Sequence, residues 1–284
     1  MKKNILTIFV LLTIIAGSML HAQEAEKPKD DPVYAPFAGG MIIDNQTGFF
    51  PDKKTLEMFI QHRFGLIENG FSDLFGIYAP GANLRLGLNY SILDKLVVGY
   101  GLTKKNMYSD FQAKYSLLEQ TQSGRIPVAV TLYGNMAIDG RNEDEFGVNY
   151  KFINRFSYFG QVIVGRKFTD WLSLQLQGSF THYNSVVQDT DNDKIGIGGN
   201  GRIKFSDQSS FIFQYDVPIS IQNRSESKHN FGFGYEVSTY THIFQIFVTT
   251  AKGILPQDIY MYNQNDWTKG EMMFGFTITR LWGF

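Results

Sequence analysis

From Thr55 onward the chain alternates between apolar and polar residues with a period of two. In Thr55–Leu66, Leu56, Met58, Ile60 and Phe64 share one face, with His62 among them, and Glu57, Gln61 and Arg63 take the other. A strand points successive side chains to opposite faces, so this pattern predicts a half-apolar strand; a helix would scatter the same residues around its circumference. The pattern returns in Ala82–Tyr90, in Tyr108–Leu118, and around Phe211–Val217 and Phe231–Val237. In Ile195–Phe205, Ile195, Ile197, Ile203 and Phe205 oppose Asn200, Arg202 and Lys204. It is clearest in Leu172–Tyr183, where Leu172, Leu174, Leu176 and Phe180 oppose Ser173, Gln175, Gln177, Ser179 and Thr181. Residues 95–102, 127–139, 156–166, 241–249 and 271–284 follow it less regularly. Together these make about twelve segments, each long enough to cross a bilayer as a tilted strand.

The connections separate a membrane barrel from a soluble sandwich, whose loops are similar at both ends. Residues 67–81, 140–155, 184–194, 218–229 and 251–270 are long, whereas 91–94, 167–170, 206–209 and 238–240 are short. Outer-membrane barrels have long external loops and short periplasmic turns. The expectation is therefore an all-β, antiparallel up-and-down transmembrane β-barrel of about 12 strands with both ends of the chain in the periplasm. Two joints break the alternation: 103–106 is short where a long loop is due, and 119–126 is long where a short turn is due. They leave roughly 10 or 14 strands open as alternatives.

The chain begins with Lys2 and Lys3, an apolar run from Ile5 to Ile15, and Ala22 as the residue before a cleavage point. This predicts a signal peptide over 1–22, a periplasmic tail over 23–54 and the barrel over 55–284. No later run of about 18 apolar residues predicts a transmembrane helix. Net charge is −1, which gives no reason to expect nucleic acid, and the absence of cysteine excludes disulfides, thiolate chemistry and lipidation at an N-terminal Cys. Aromatic residues make up 15% of the chain. Tyr100, Tyr158, Trp171, Phe180, Tyr240, Trp267 and Trp282 fall near predicted strand ends, where an interfacial belt is expected. The last strand ends in Phe284, as the signal read by the barrel assembly machinery does. Outer-membrane lipid and that machinery are thus the expected partners.

Several segments resemble one family: Ile43-Asp44-Asn45-Gln46-Thr47, Ile60-Gln61-His62-Arg63-Phe64-Gly65, Asp73-Leu74-Phe75-Gly76-Ile77-Tyr78 and Tyr133-Gly134-Asn135. Arg166-Lys167-Phe168, His242–Val248, Asn263-Gln264-Asn265-Asp266 and Thr279-Arg280-Leu281-Trp282 fit it too. From about Met41 to the C-terminus the chain resembles the outer-membrane β-barrel family called domain of unknown function 5777, typical of Bacteroidota. The resemblance implies fold and location; it brings no reaction, ligand or functional residue.

Little in the chain suggests catalysis or a bound cofactor. His182 and Asn184 could share a strand face, as in a lipid-cleaving Ser–His–Asn barrel enzyme, but Ser185 points the other way. Asp189, Asp191 and Asp193 alternate like the start of a calcium loop, but Lys194 stands where that loop needs glycine and no closing glutamate follows. Gly196, Gly198, Gly199 and Gly201 precede no helix and suit curvature or a bulky neighbour rather than a phosphate. The inward phase carries both charge signs: Glu57, Arg63, Arg85, Asp110, Lys114, Arg202, Lys204, Asp216 and Glu236. The expected role is a narrow passive channel for small polar or ionic solutes. The competing expectation is a structural barrel whose long loops or tail bind another envelope protein. A polar lumen further predicts that Gln175→Arg is tolerated, whereas arginine at Leu174 or Leu176 is harmful.

Overall fold

The computed structural model describes residues 30–34 and 36–284. The expected signal peptide, and the tail up to residue 29, lie outside the described residues. The first strands, β1 (Met41–Ile42) and β2 (Asn45–Gln46), form a small separate hairpin. They are followed by β3 (Thr55–Leu66), β4 (Asn83–Leu93), β5 (Leu96–Thr103), β6 (Tyr108–Leu118), β7 (Ala129–Ile138) and β8 (Phe156–Lys167). The chain continues through β9 (Leu172–Tyr183), β10 (Asp193–Lys204), β11 (Ser209–Ser220), β12 (Asn230–Ser238), β13 (His242–Thr249), helix α1 (Pro256–Tyr262) and β14 (Met273–Gly283). The twelve strands β3 to β14 close into one antiparallel barrel in sequence order. Closure is made by β14 on β3, with Ile278 opposite Ile60 and Gly283 opposite Thr55. Every barrel strand is paired on both edges, the condition for crossing hydrocarbon.

The barrel is inside out relative to a soluble protein. Along β9, Ser173, Gln175, Gln177, Ser179 and Thr181 are buried, while Leu176 is 71% exposed. Leu86, Leu88, Leu117, Val162, Ile197, Phe211, Phe233 and Ile246 are likewise exposed on other strands. An apolar surface running round the whole wall exceeds what water-exposed proteins carry. Lipid is its solvent. Tyr100, Tyr158, Trp171, Phe180, Tyr240 and Trp267 are all exposed as a belt requires.

The long and short connections lie at opposite ends. The Phe284 amide donates to the Lys54 carbonyl (3.2 Å), which puts the start and finish of the barrel at the short-turn end. At the first irregular joint, Asn106 and Met107 take left-handed φ values of 54° and 49° and turn the chain sharply. The second, residues 119–126, has a structural task. The Val33 amide donates to the Gln120 carbonyl (2.8 Å), and Pro32 bridges Thr121. The extra length provides an edge that receives the incoming N-terminal segment.

That segment corrects the expectation of a tail lying outside the barrel. Phe37, Met41, Ile42, Ile43, Asp44, Asn45, Gln46 and Thr47 are all buried. Phe37, Ile42 and Ile43 pack with Ile212 and Phe247, two inward-facing wall residues. Part of the presumed tail is thus the core of the lumen. Left in the periplasm, its apolar side chains would have stayed in water.

Candidate functional site: the plugged lumen

The hairpin of β1 and β2 pairs Met41 with Gln46 and Ile42 with Asn45, so Ile43 and Asp44 form its tip. Ile43 has a φ of 52°. For a β-branched residue this conformation costs on the order of 1–3 kcal/mol and persists only where the surroundings impose it. Here the wall imposes it. The Ile43 amide donates to Gln245 Oε1 (3.1 Å), and Gln245 Nε2 returns a bond to the Met41 carbonyl (3.0 Å). The Asp44 amide donates to Gln214 Oε1 (2.9 Å).

The carboxylate of Asp44 is the best-connected group of the hairpin. Arg63 Nη2 forms a buried ion pair with its Oδ1. Its Oδ2 accepts from Gln214 Nε2 (2.5 Å), Thr249 Oγ1 (2.8 Å) and Asn230 Nδ2 (3.0 Å). Beside it, Asn45 Nδ2 donates to both oxygens of Asp216 (3.0 and 3.1 Å). Lys114 Nζ donates to the Thr47 carbonyl (3.3 Å), and Gln175 Nε2 to the Gln46 carbonyl (2.6 Å).

A second insertion comes from the loop at the other end. Helix α1 opens on Pro256, and Gln257, Asp258, Ile259, Tyr260 and Met261 are buried. Asp258 accepts from Tyr183 Oη (3.0 Å) and Tyr108 Oη (3.3 Å) and pairs with Lys105 (3.0 Å). Tyr260 Oη donates to Asp216 (3.1 Å). Its ring lies over Gly196, where a Cβ would collide with it; the close-packing role expected for the glycine run is fulfilled there. Between hairpin and helix remains a cavity of about 10 Å³ lined by Asp44, Gln61, Arg85, Tyr133 and Ile254. That is barely the space one water needs. Among the described residues the hairpin and helix α1 thus occupy much of the lumen.

The inward charges divide by partner. Arg85 and Asp110 pair within the wall, with Nε at 3.0 Å and Nη2 at 2.5 Å, as do Arg202 and Glu236 at 2.7 Å. Glu57 accepts from Asn89 (2.7 Å) and from the amide of Gly40 (3.4 Å). Arg63, Lys114 and Asp216 face the hairpin instead. Lys204 is apart from the others, half-buried at a strand end and 3.7 Å from Asp207. Sequence reasoning missed Asp44, Asn45, Gln214, Asn230, Gln245 and Thr249. The available signal was the apolar run Met41-Ile42-Ile43 before Asp44-Asn45, which suits a buried hairpin better than a solvated tail.

The acidic loop and His182 have other roles. Both ring nitrogens of His182 are engaged, by Asp193 (2.6 Å) and Asn184 (3.0 Å). Asp191 ties loop 184–192 to its neighbour by accepting from Ser220 Oγ (2.5 Å), the Arg224 amide (3.1 Å) and Ser225 Oγ (3.3 Å). Burial alone would push the Asp191 carboxyl up, but these bonds and Lys194 outweigh it and hold it below its ordinary 3.8. A depressed carboxyl stabilises the folded clasp above pH 3.8, and that contribution is lost as pH falls through its folded value. Hydrogen exchange at the Arg224 amide, corrected for intrinsic rate, should therefore stay slow down to about pH 4 and accelerate below it. Protection that does not fall however far the pH is lowered below that point would show that Asp191 does not hold the loops.

The profile of the family described as membrane bound beta barrel domain matches residues 37–282. No curated protein sequence matches the chain. Among solved structures, the chain is similar to the NanC porin, with 10% identity, a TM-score of 0.52, and coverage of 80% of this chain and 98% of that one. It is also similar to the KdgM porin, at 8% identity and a TM-score of 0.46, over 81% of this chain and 99% of that one. At 10% identity the likeness to the NanC porin is one of fold alone.

Proposed function

We propose, for a chain that belongs to this membrane-bound β-barrel family, the function of a plugged outer-membrane channel: closed at rest by its own hairpin, it passes small polar or ionic solutes when the hairpin moves. One observation carries the reading. Besides the apolar packing of Phe37, Ile42 and Ile43, the hairpin is held to the wall by hydrogen bonds and one ion pair, among them those of Asp44, Asn45, Gln46 and Thr47. Polar contacts of this kind can be exchanged for contacts with water or solute, whereas a purely apolar plug would have no such replacement. An open resting pore is not supported, because hairpin and helix fill the lumen. In this reading the short turns and Phe284 face the periplasm, the long loops face outward, and the last strand is the one handed to the assembly machinery.

Planar-bilayer recording tests the proposal. The wild-type barrel should be silent or open rarely. Asp44→Arg would set a second guanidinium against Arg63 in a buried site and expel the hairpin, so it should conduct steadily. A folded Asp44→Arg barrel that stays silent would overturn the channel reading in favour of an interaction scaffold. The feature supporting a scaffold is the outward loop bearing Phe71 and Tyr78, 85% and 77% exposed. A stoichiometric envelope partner cross-linked to that loop would be the corresponding positive result.

A further inference from the structure

The groups around Asp44 have the composition of an anion site. Arg63 comes from β3, Gln214 from β11, Asn230 from β12 and Thr249 from β13, so four strands of the wall converge on one carboxylate. The carboxylate belongs to the hairpin, not to the wall. The other inward arginines, Arg85 and Arg202, have wall partners in Asp110 and Glu236. Among the described residues Arg63 has no ion pair with a wall carboxylate. The wall acid beside the hairpin, Asp216, is already engaged by Gln177 (2.9 Å), Tyr260 (3.1 Å) and Asn230 (3.2 Å). The Arg63 guanidinium is held in place over the Phe247 ring, 4.4 Å from its centroid, and its Nε has no acceptor among the described residues. A guanidinium fork can engage both oxygens of a carboxylate, and Asp44 uses only part of that capacity.

We propose that Arg63, Gln214, Asn230 and Thr249 form a carboxylate-binding site of the lumen wall, filled by Asp44 in the closed barrel and by a small carboxylate solute when the hairpin withdraws. This rests on the plugged-channel reading and gives it a substrate class. Withdrawal of the hairpin leaves a buried guanidinium without its counter-ion, an unfavourable state that an entering anion relieves. Solute and plug then compete for the same donors, so the solute favours the open barrel in proportion to its preference for it. Gln214 adds shape to the site, because its Oε1 accepts the amide N–H beside the carboxylate while its Nε2 donates to the carboxylate itself.

The test empties the site without removing the hairpin. In Asp44→Gly the side chain is gone and the wall donors remain. Acetate, compared with chloride at equal ionic strength, should raise the unfolding temperature of Asp44→Gly in a saturable way. Wild type, whose own carboxylate fills the site, and Asp44→Gly/Arg63→Met, which lacks the cation, should show no such shift. If Asp44→Gly does not fold in chloride, the fraction folded into lipid vesicles in acetate replaces temperature as the readout. Equal behaviour in acetate and chloride by either readout would overturn the site. Channel and site fail separately: acetate rescue with a silent Asp44→Arg barrel keeps the site and removes the channel, whereas steady conductance without rescue does the reverse.

Discussion

Replacing Arg85 with methionine is expected to destabilise the barrel by about 3–5 kcal/mol, the usual consequence of removing one member of a buried ion pair. Asp110 is fully buried and accepts from Arg85 Nε (3.0 Å), Arg85 Nη2 (2.5 Å) and Asn135 Nδ2 (2.9 Å). Methionine leaves that carboxylate with Asn135 alone. It also removes the bond from Arg85 Nη1 to Gln61 Oε1 (3.1 Å) and the packing of the guanidinium on Phe59, 4.8 Å from its ring centroid. The cost comes from the charge left behind more than from the attraction lost. The double replacement Arg85→Met/Asp110→Leu should therefore recover most of the stability, although it removes more polar contacts than the single change. Urea titration of refolding into lipid vesicles measures both. A single variant as stable as wild type would mean that water or a proton reaches Asp110, and that the lumen is less tightly filled than its geometry indicates.

Neither Arg85 nor Asp110 needed a structure to be placed inside the barrel, since the two-residue alternation of β4 and β6 assigns them to the polar phase. Their pairing was not legible. It depends on the register that sets Arg85 opposite Thr103 and Asp110 opposite Gly101, and alternation fixes the face of a residue but not its register. The twelve-strand count was within reach for the same reason that the faces were; the two irregular joints obscured it. One of them, 119–126, is explained by a contact with Pro32 and Val33, far away in sequence, which no local pattern can reveal. The hairpin was hidden by its brevity. Two-residue strands carry no measurable periodicity, and a short polar stretch with a few apolar residues reads as a tail. The wall side of the site was half-visible through Arg63 and Asp216, while Gln214, Asn230 and Thr249 looked like ordinary lumen residues until Asp44 gave them a common target. Phe59 and Phe247 break the polar phase of their strands, and each proves to be the surface on which an inward arginine lies.

Arginine substitutions on the two faces of β9 should do different kinds of damage. Leu176 is 71% exposed and sits mid-strand between Val164 and Gly199. Leu176→Arg would put a charge into hydrocarbon with no water and no partner, at a cost of roughly 2–4 kcal/mol near the bilayer midplane. Its effect should appear in folding titrations into vesicles, and the hairpin should stay seated. Gln175 points the other way, and the sequence alone suggested that a polar lumen would tolerate arginine there. The surroundings of Gln175 qualify that expectation. Gln175 is buried, with its Nε2 on the Gln46 carbonyl at 2.6 Å. A longer side chain has no room unless the hairpin moves, and overfilling a packed site costs about 1–3 kcal/mol where nothing yields. The hairpin is the element able to yield, because its two strands form a sheet of their own and are not hydrogen-bonded into the barrel. Gln175→Arg should thus still insert into lipid, lose less stability than Leu176→Arg, and in planar bilayers conduct more than wild type. Normal folding of Leu176→Arg would remove that face from the membrane. A folded Gln175→Arg barrel as silent as wild type would show that the wall around Gln46 can absorb the extra length, and that the hairpin is fixed far more firmly than its contacts suggest.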